Sequence, residues 1–107
     1  MPKFLIKGSY TAEGAKGLIK EGGSARKAAI EKALAGLGGK LESIYYAFGD
    51  TDVYVVVDVP DLVSGLALSL TVNASGAATA TTIPLLSVQE VDAASKKTVS
   101  YRGAGGQ

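Results

Sequence analysis

The acidic side chains with the closest spacing are Asp50, Asp52 and Asp58, three carboxylates within nine positions of a 107-residue chain. Carboxylates at such spacing can act as a general base toward a small organic acid, or as oxygen ligands for a hard metal ion. Each also has a plainer use. Asp50 and Asp52 fall in Gly49-Asp50-Thr51-Asp52, a composition that favours a turn. Asp58 lies near the end of a strand and, if that strand runs antiparallel to the first, stands beside Lys3 as a cross-strand ion pair. The chain has no histidine and no cysteine. Ser-His-Asp catalysis, a thiol nucleophile, imidazole-ligated haem, iron–sulfur clusters, disulfides and most catalytic zinc sites are therefore excluded. No complete catalytic constellation can be assembled from the polar residues that remain.

Aromatic residues offer a second kind of chemistry. Tyr10, Tyr45, Tyr46, Phe48 and Tyr54 could line a small-molecule pocket, which is usually apolar with a few convergent polar groups. Aromatics on strands also simply pack across a sheet. The glycine-rich Gly36-Leu37-Gly38-Gly39-Lys40 invites a phosphate-loop reading. That motif, however, follows a strand, opens a helix and needs a Ser or Thr after the lysine. Here the glycines follow a helical pattern and Leu41 follows the lysine, so a helix C-cap is the expectation.

The elements that must position these residues follow from periodicity. Lys3 to Tyr10 alternates, with Phe4, Ile6 and Gly8 on one face and Leu5, Lys7 and Ser9 on the other. Thr11 can cap a short helix from Ala12 to Glu21, which Gly22-Gly23 ends, and Ser24 restarts the helix. Ile30, Ala33, Leu34 and Leu37 then form one apolar stripe. Strand two is expected from Lys40 to Phe48 and strand three from Val53 to Val59, joined by the turn at 49–52. Asp61 can cap a helix whose Val63, Leu66, Ala67 and Leu70 repeat the apolar stripe. Ala77 to Leu86 reads as strand four, with Pro84 confined to an edge. Ser87 and Glu90 form a capping box for a last short helix reaching about Lys97, and Leu86 and Val91 stand at staple spacing. Thr98 to Tyr101 is expected to be a short fifth strand.

Length fits one domain, here residues 1–102, with 103–107 expected to be a disordered glycine-rich end. Apolar residues make up 47% of the chain and charged residues 20%, a balance that folds. No apolar run is long enough to cross a bilayer, and the start is strand-like, so a cytoplasmic protein with no membrane partner is expected. The net charge of +1 conceals a block of +5 in residues 1–40, one of −5 in 41–61 and +1 in the remainder. A nucleic-acid binder would carry a basic surface without an equal acidic block, so no nucleic-acid partner is expected. The two blocks are better suited to attract each other, within or between subunits.

At the hairpin, the run from Ser43 to Asp61, SIYYAFGDTDVYVVVDVPD, resembles the central signature of the GYD domain family. Gly8-Ser9-Tyr10-Thr11 and the stretch Thr81 to Arg102 are similar to the same family. The match has one departure: Thr51 stands where the family's tyrosine would fall, while Gly49 and Asp52 keep its glycine and aspartate. The resemblance implies a ferredoxin-like α+β domain assembled as a dimeric α/β-barrel, and implies no particular substrate.

Periodicity points the same way. Two amphipathic helices and four main strands in the order βαββαβ make helices on one face of an antiparallel sheet. The other face, carrying Leu5, Tyr54 and Val56, is too apolar to leave in water, so a second copy of the chain is the expected partner. The functional expectation is an oligomeric module that binds a small organic ligand or serves assembly, without a cofactor or a metal. A cofactor-free enzyme of the monooxygenase or isomerase type is the alternative, on fold analogy alone. Tyr10, Tyr45, Tyr54, Asp52 and Asp58 are the candidate pocket residues, with no catalytic residue assigned.

Overall fold

A computed structural model describes residues 1–106. Eight elements follow one another: β1 (Lys3–Tyr10), α1 (Ala12–Glu21), α2 (Gly23–Gly36), β2 (Lys40–Tyr46), β3 (Val53–Asp58), α3 (Leu62–Ala74), β4 (Ala78–Leu85) and α4 (Val88–Ser95). The strands form one open antiparallel sheet in the order β2-β3-β1-β4. This is an α+β domain. Among the described residues no helix is long and apolar enough to cross a membrane.

Local chemistry sets the helix ends. Thr11 accepts the Gly14 N–H at 3.2 Å, Asp61 accepts the Ser64 N–H at 2.8 Å, and Ser87 and Glu90 exchange bonds of 3.1 and 3.0 Å in a full capping box. The Ser64 N–H also holds the Asp61 carboxyl below its usual range. Gly22 separates α1 from α2 at φ 83°, a left-handed conformation that a side chain would strain. The Gly38-Gly39 pair closes α2 through Gly38 N–H to Ala35 C=O at 3.0 Å and Gly39 N–H to Leu34 C=O at 2.8 Å. The glycine-rich run is a helix stop.

The core follows the alternation of the strands. Phe4 and Ile6 of β1 and Val53, Val55 and Val57 of β3 are buried with Val59, Leu34 of α2 and Leu68 of α3. Removing each such side chain from water contributes about 1.5–3 kcal/mol. The α3 stripe expected to face this core does not. Val63, Leu66 and Leu70 are 75, 58 and 61% exposed, and Gly65 and Leu68 are buried instead. The cause is close packing: the Phe4 ring lies so near α3 that a Cβ at Gly65 would sit 2.6 Å from it. The helix carries two apolar stripes, separated by Ser64 and Thr71 on one side and Ser69 and Asn73 on the other, and the stripe containing glycine admits the ring.

Edge strand β4 tolerates Pro84, as expected. Asn73 of α3 satisfies both backbone groups of Ala80, accepting its N–H at 2.8 Å and donating to its C=O at 3.1 Å. Thr98 to Tyr101 is not a strand. It lies beyond α4 with every residue exposed and no ladder partner, and alternation alone cannot supply one. Residues 103–106 close a turn through Gly106 N–H to Gly103 C=O at 3.2 Å, while Gln107, the last residue of the expected disordered end, lies outside the described residues.

On the sheet face away from α2 and α3, the register sets Leu5 beside Val56 and Ile83, and Tyr54 beside Tyr45 and Lys7. Tyr45 is 72% exposed, Tyr54 39% and Ile83 37%.

Candidate functional site

The five candidate residues fall in three places. Asp58 lies at the end of β3 that pairs with the start of β1, where Lys3 is its Cα partner. The Lys3 ammonium donates to Asp58 Oδ1 at 2.8 Å and lies 3.2 Å from Glu42 Oε2. The cross-strand pair expected from topology therefore forms, and Glu42 enlarges it. The hydrogen bond to Asp58, then that to Glu42, raises the Lys3 pKa. A cation raised in the folded state contributes stability fully at neutral pH, and loses it only as pH climbs through the raised value, beyond the ordinary lysine value of about 10.4. Asp58 carries structure here. It stands six residues from Asp52 along β3, roughly 20 Å at strand rise, so the acids share no ion. No group of three or more possible metal-ligating side chains converges among the described residues.

Tyr45 and Tyr54 are direct cross-strand neighbours on the open sheet face. They form part of its aromatic surface and line neither of the cavities described next.

Tyr10 and Asp52 do come together, at the other end of the sheet. Asp52 Oδ2 accepts the Tyr10 N–H at 2.8 Å, and the Asp52 N–H donates to Gly8 C=O at 2.9 Å. The Ser9 hydroxyl donates to Asp50 C=O at 2.9 Å, and Ala47 N–H to Asp52 C=O at 2.7 Å. The first three of these bonds tie the β2–β3 loop to the end of β1 and the fourth closes the loop on itself; β2 ends at Tyr46, two residues short of the expected Phe48. Between that loop and α1 opens a cleft of about 390 Å³ lined by Tyr10, Ala15, Leu18, Ile19, Tyr46, Ala47 and Asp52, with Gly23 at its edge. The Tyr46 hydroxyl donates to Gly23 C=O at 3.1 Å, which fixes the ring against the start of α2.

A second cavity of about 130 Å³ lies between α2, α3 and the sheet. Its wall is apolar, with Ile30, Val53, Val55, Leu68 and Val72, and its polar side chains are Tyr10 and Arg26. A void of this size and lining is comparable to an engineered cavity that admits benzene. Tyr10 is a wall of both spaces.

Burial raises the Tyr10 pKa most, the nearby Tyr46 and Asp52 raise it further, and Arg26 opposes them. The phenol is therefore a neutral donor at physiological pH and a poor base. Its preference for the neutral form contributes stability below the ordinary tyrosine value of about 10 and loses it as pH rises through the folded value. Following phenolate absorbance through an alkaline titration is expected to reveal a step above that ordinary value, which Tyr10→Phe removes. A titration unchanged by the substitution would contradict the burial.

Residue type alone sets Tyr46 among the aromatics without singling it out, and periodicity sets Arg26 on the solvent face of α2. The break at Gly22-Gly23 is the sequence signal that could have found both, because it separates α1 from α2 and sets Gly23 against Tyr46 and Arg26 beside Tyr10.

The chain belongs to the GYD domain family, whose model matches residues 4–95. No curated protein and no solved structure matches it.

Proposed function

We propose that this GYD domain is a self-associating, non-catalytic module that holds a small, largely apolar organic molecule against Tyr10. The observation that carries the reading is the position of Tyr10, whose ring is a wall shared by an open cleft and an apolar chamber. Mostly apolar walls with one or two fixed polar groups are what a small-ligand site needs. A ring or short alkyl group fits the chamber, and a hydroxyl or carbonyl oxygen on the ligand accepts from the phenol. The enzyme alternative requires a base at the same place. Asp52 is the carboxylate lining the cleft, one of its oxygens is engaged by the Tyr10 N–H, and the phenol itself is held protonated.

The strand order β2-β3-β1-β4, with α2 and α3 over one face, supports a ferredoxin-like arrangement. The uncovered Leu5, Val56, Ile83 and Tyr54 support pairing of two such sheets face to face, as a dimeric α/β-barrel.

Backbone amide NMR of the full chain, titrated with a panel of phenols, cyclic ketones and small aromatic acids, tests the ligand. Shifts are expected at Tyr10, Ala47, Asp52 and Val53. Ala47→Trp, which fills the cleft and removes no hydrogen-bonding side chain, is expected to weaken binding at least tenfold. Shifts confined to the open sheet face, or affinity untouched by Ala47→Trp, would overturn the site.

A further inference from the structure

We propose that the C-terminal arm, residues 86–102, docks on a second copy of the chain, with α4 lying against the outer stripe of that copy's α3. Two uncovered apolar surfaces of matching form carry this, independently of the ligand site.

The first is the arm. Every residue from Leu86 to Arg102 is exposed, including Leu86 at 69%, Val88 at 74%, Val91 at 55% and Tyr101 at 79%. The chain has a radius of gyration of 17.1 Å and a long axis of 56 Å. A compact domain of this length would have a radius near 13 Å. The arm is nonetheless locally well specified. Only Leu86 and Ser87 join β4 to α4. Ser87 is locked in the reciprocal bonds of the capping box, and Leu86 stands at staple spacing from Val91. A two-residue connection held in this way fixes the direction in which α4 leaves the sheet: its first turn borders a groove shared with Leu62 of its own α3, while every residue of the arm stays exposed.

The second surface is α3. Residues 62–74 contain no charged side chain, and Leu62, Leu66 and Leu70 line up at four-residue spacing on the outside, with Val63 beside them. An apolar helix stripe normally packs against another element. The sheet covers only the Gly65 and Leu68 side. An outward ridge at i, i+4, i+8 is the form that another helix packs into. Val88 and Val91 at i, i+3 present the short apolar face to do so. A two-fold pair of copies would satisfy both surfaces at once, the arm of each on the α3 of the other.

The chain has no cysteine, so single cysteines report the contact cleanly. Val91→Cys and Leu66→Cys chains, prepared separately, mixed and oxidised, are expected to form a mixed disulfide of two chains. Pairs in which Lys20→Cys replaces either partner should cross-link at least tenfold less. Val91→Asp should weaken self-association at least tenfold in sedimentation, and Val88→Asp, which leaves the Leu86–Val91 staple intact, should do the same. A disulfide that forms only within a single Val91→Cys/Leu66→Cys chain, cross-linking no greater than the Lys20→Cys control, or association indifferent to Val91→Asp would overturn the proposal. Failure here leaves the sheet-face contact standing, because that contact is read by a substitution on β3.

Discussion

Leu34→Ala is expected to lower the unfolding free energy by about 2–5 kcal/mol, the cost of a large-to-small change at a fully buried leucine. Leu34 is 0% exposed and is the only buried residue of α2 among those described. Ile30 of the same helix and Leu37, its C-cap, are half-buried against the core. The helix is otherwise studded with alanine, lysine and glycine, so its attachment to the sheet depends on this one side chain more than helix length would suggest. A domain of this size has about 5–15 kcal/mol of stability in total, which makes the loss a large fraction. Urea denaturation followed by far-ultraviolet circular dichroism reads it. The substitution also enlarges the space under α2, next to the chamber that Tyr10 closes, so any ligand affinity should change with it. A midpoint within a few tenths molar urea of the parent would show that α2 is held by something other than Leu34.

Val56→Asp is expected to weaken self-association by about 3 kcal/mol or more, on the order of a hundredfold in the dissociation constant. Val56 is half-buried on the open face of β3, with Leu5 of β1 on one side and Ser43 of β2 on the other. A carboxylate there would be buried without a partner when a second sheet covers the face. Thr51→Ala is the matched comparison. Thr51 sits in the β2–β3 loop outside any strand, and its loss should stay within about 0.5 kcal/mol. Light scattering across a dilution series measures both. A parent chain that scatters as a 10.8 kDa monomer at all concentrations would end the case for the sheet-face dimer.

Much of the fold was legible in order along the chain. Phe4, Ile6 and Gly8 alternate with Leu5 and Lys7, and each set lies on the face that alternation assigned. Thr11, Asp61 and Ser87 cap the helices they precede, because a short side-chain oxygen next to free N–H groups needs no tertiary partner. The Lys3–Asp58 pair was also legible, since antiparallel register follows once two strands are known to be neighbours. These are local consequences, within one element or one ladder, of backbone geometry and residue type.

Tertiary structure decided what periodicity left degenerate. In α3 the stripe of Leu62, Leu66 and Leu70 and the stripe of Gly65 and Leu68 are both apolar, and the ring of Phe4, distant in sequence, selected the second because only a glycine lets it approach. Thr98 to Tyr101 has the composition of a strand but meets no ladder to join. The site itself was half visible. Tyr10 and Asp52 could be named from type and spacing, whereas Tyr45, Tyr54 and Asp58 were sorted away from them by which face and which end of the sheet they occupy. Tyr46 and Arg26 joined the site because the bend at Gly22 carries the start of α2 to the end of β1. Sequence fixes faces and ends of elements through short-range sterics and hydrogen bonding. Which faces meet is set by packing between residues far apart in the chain, and that was determined here by one phenylalanine, one glycine break and the loop that Asp52 ties to β1.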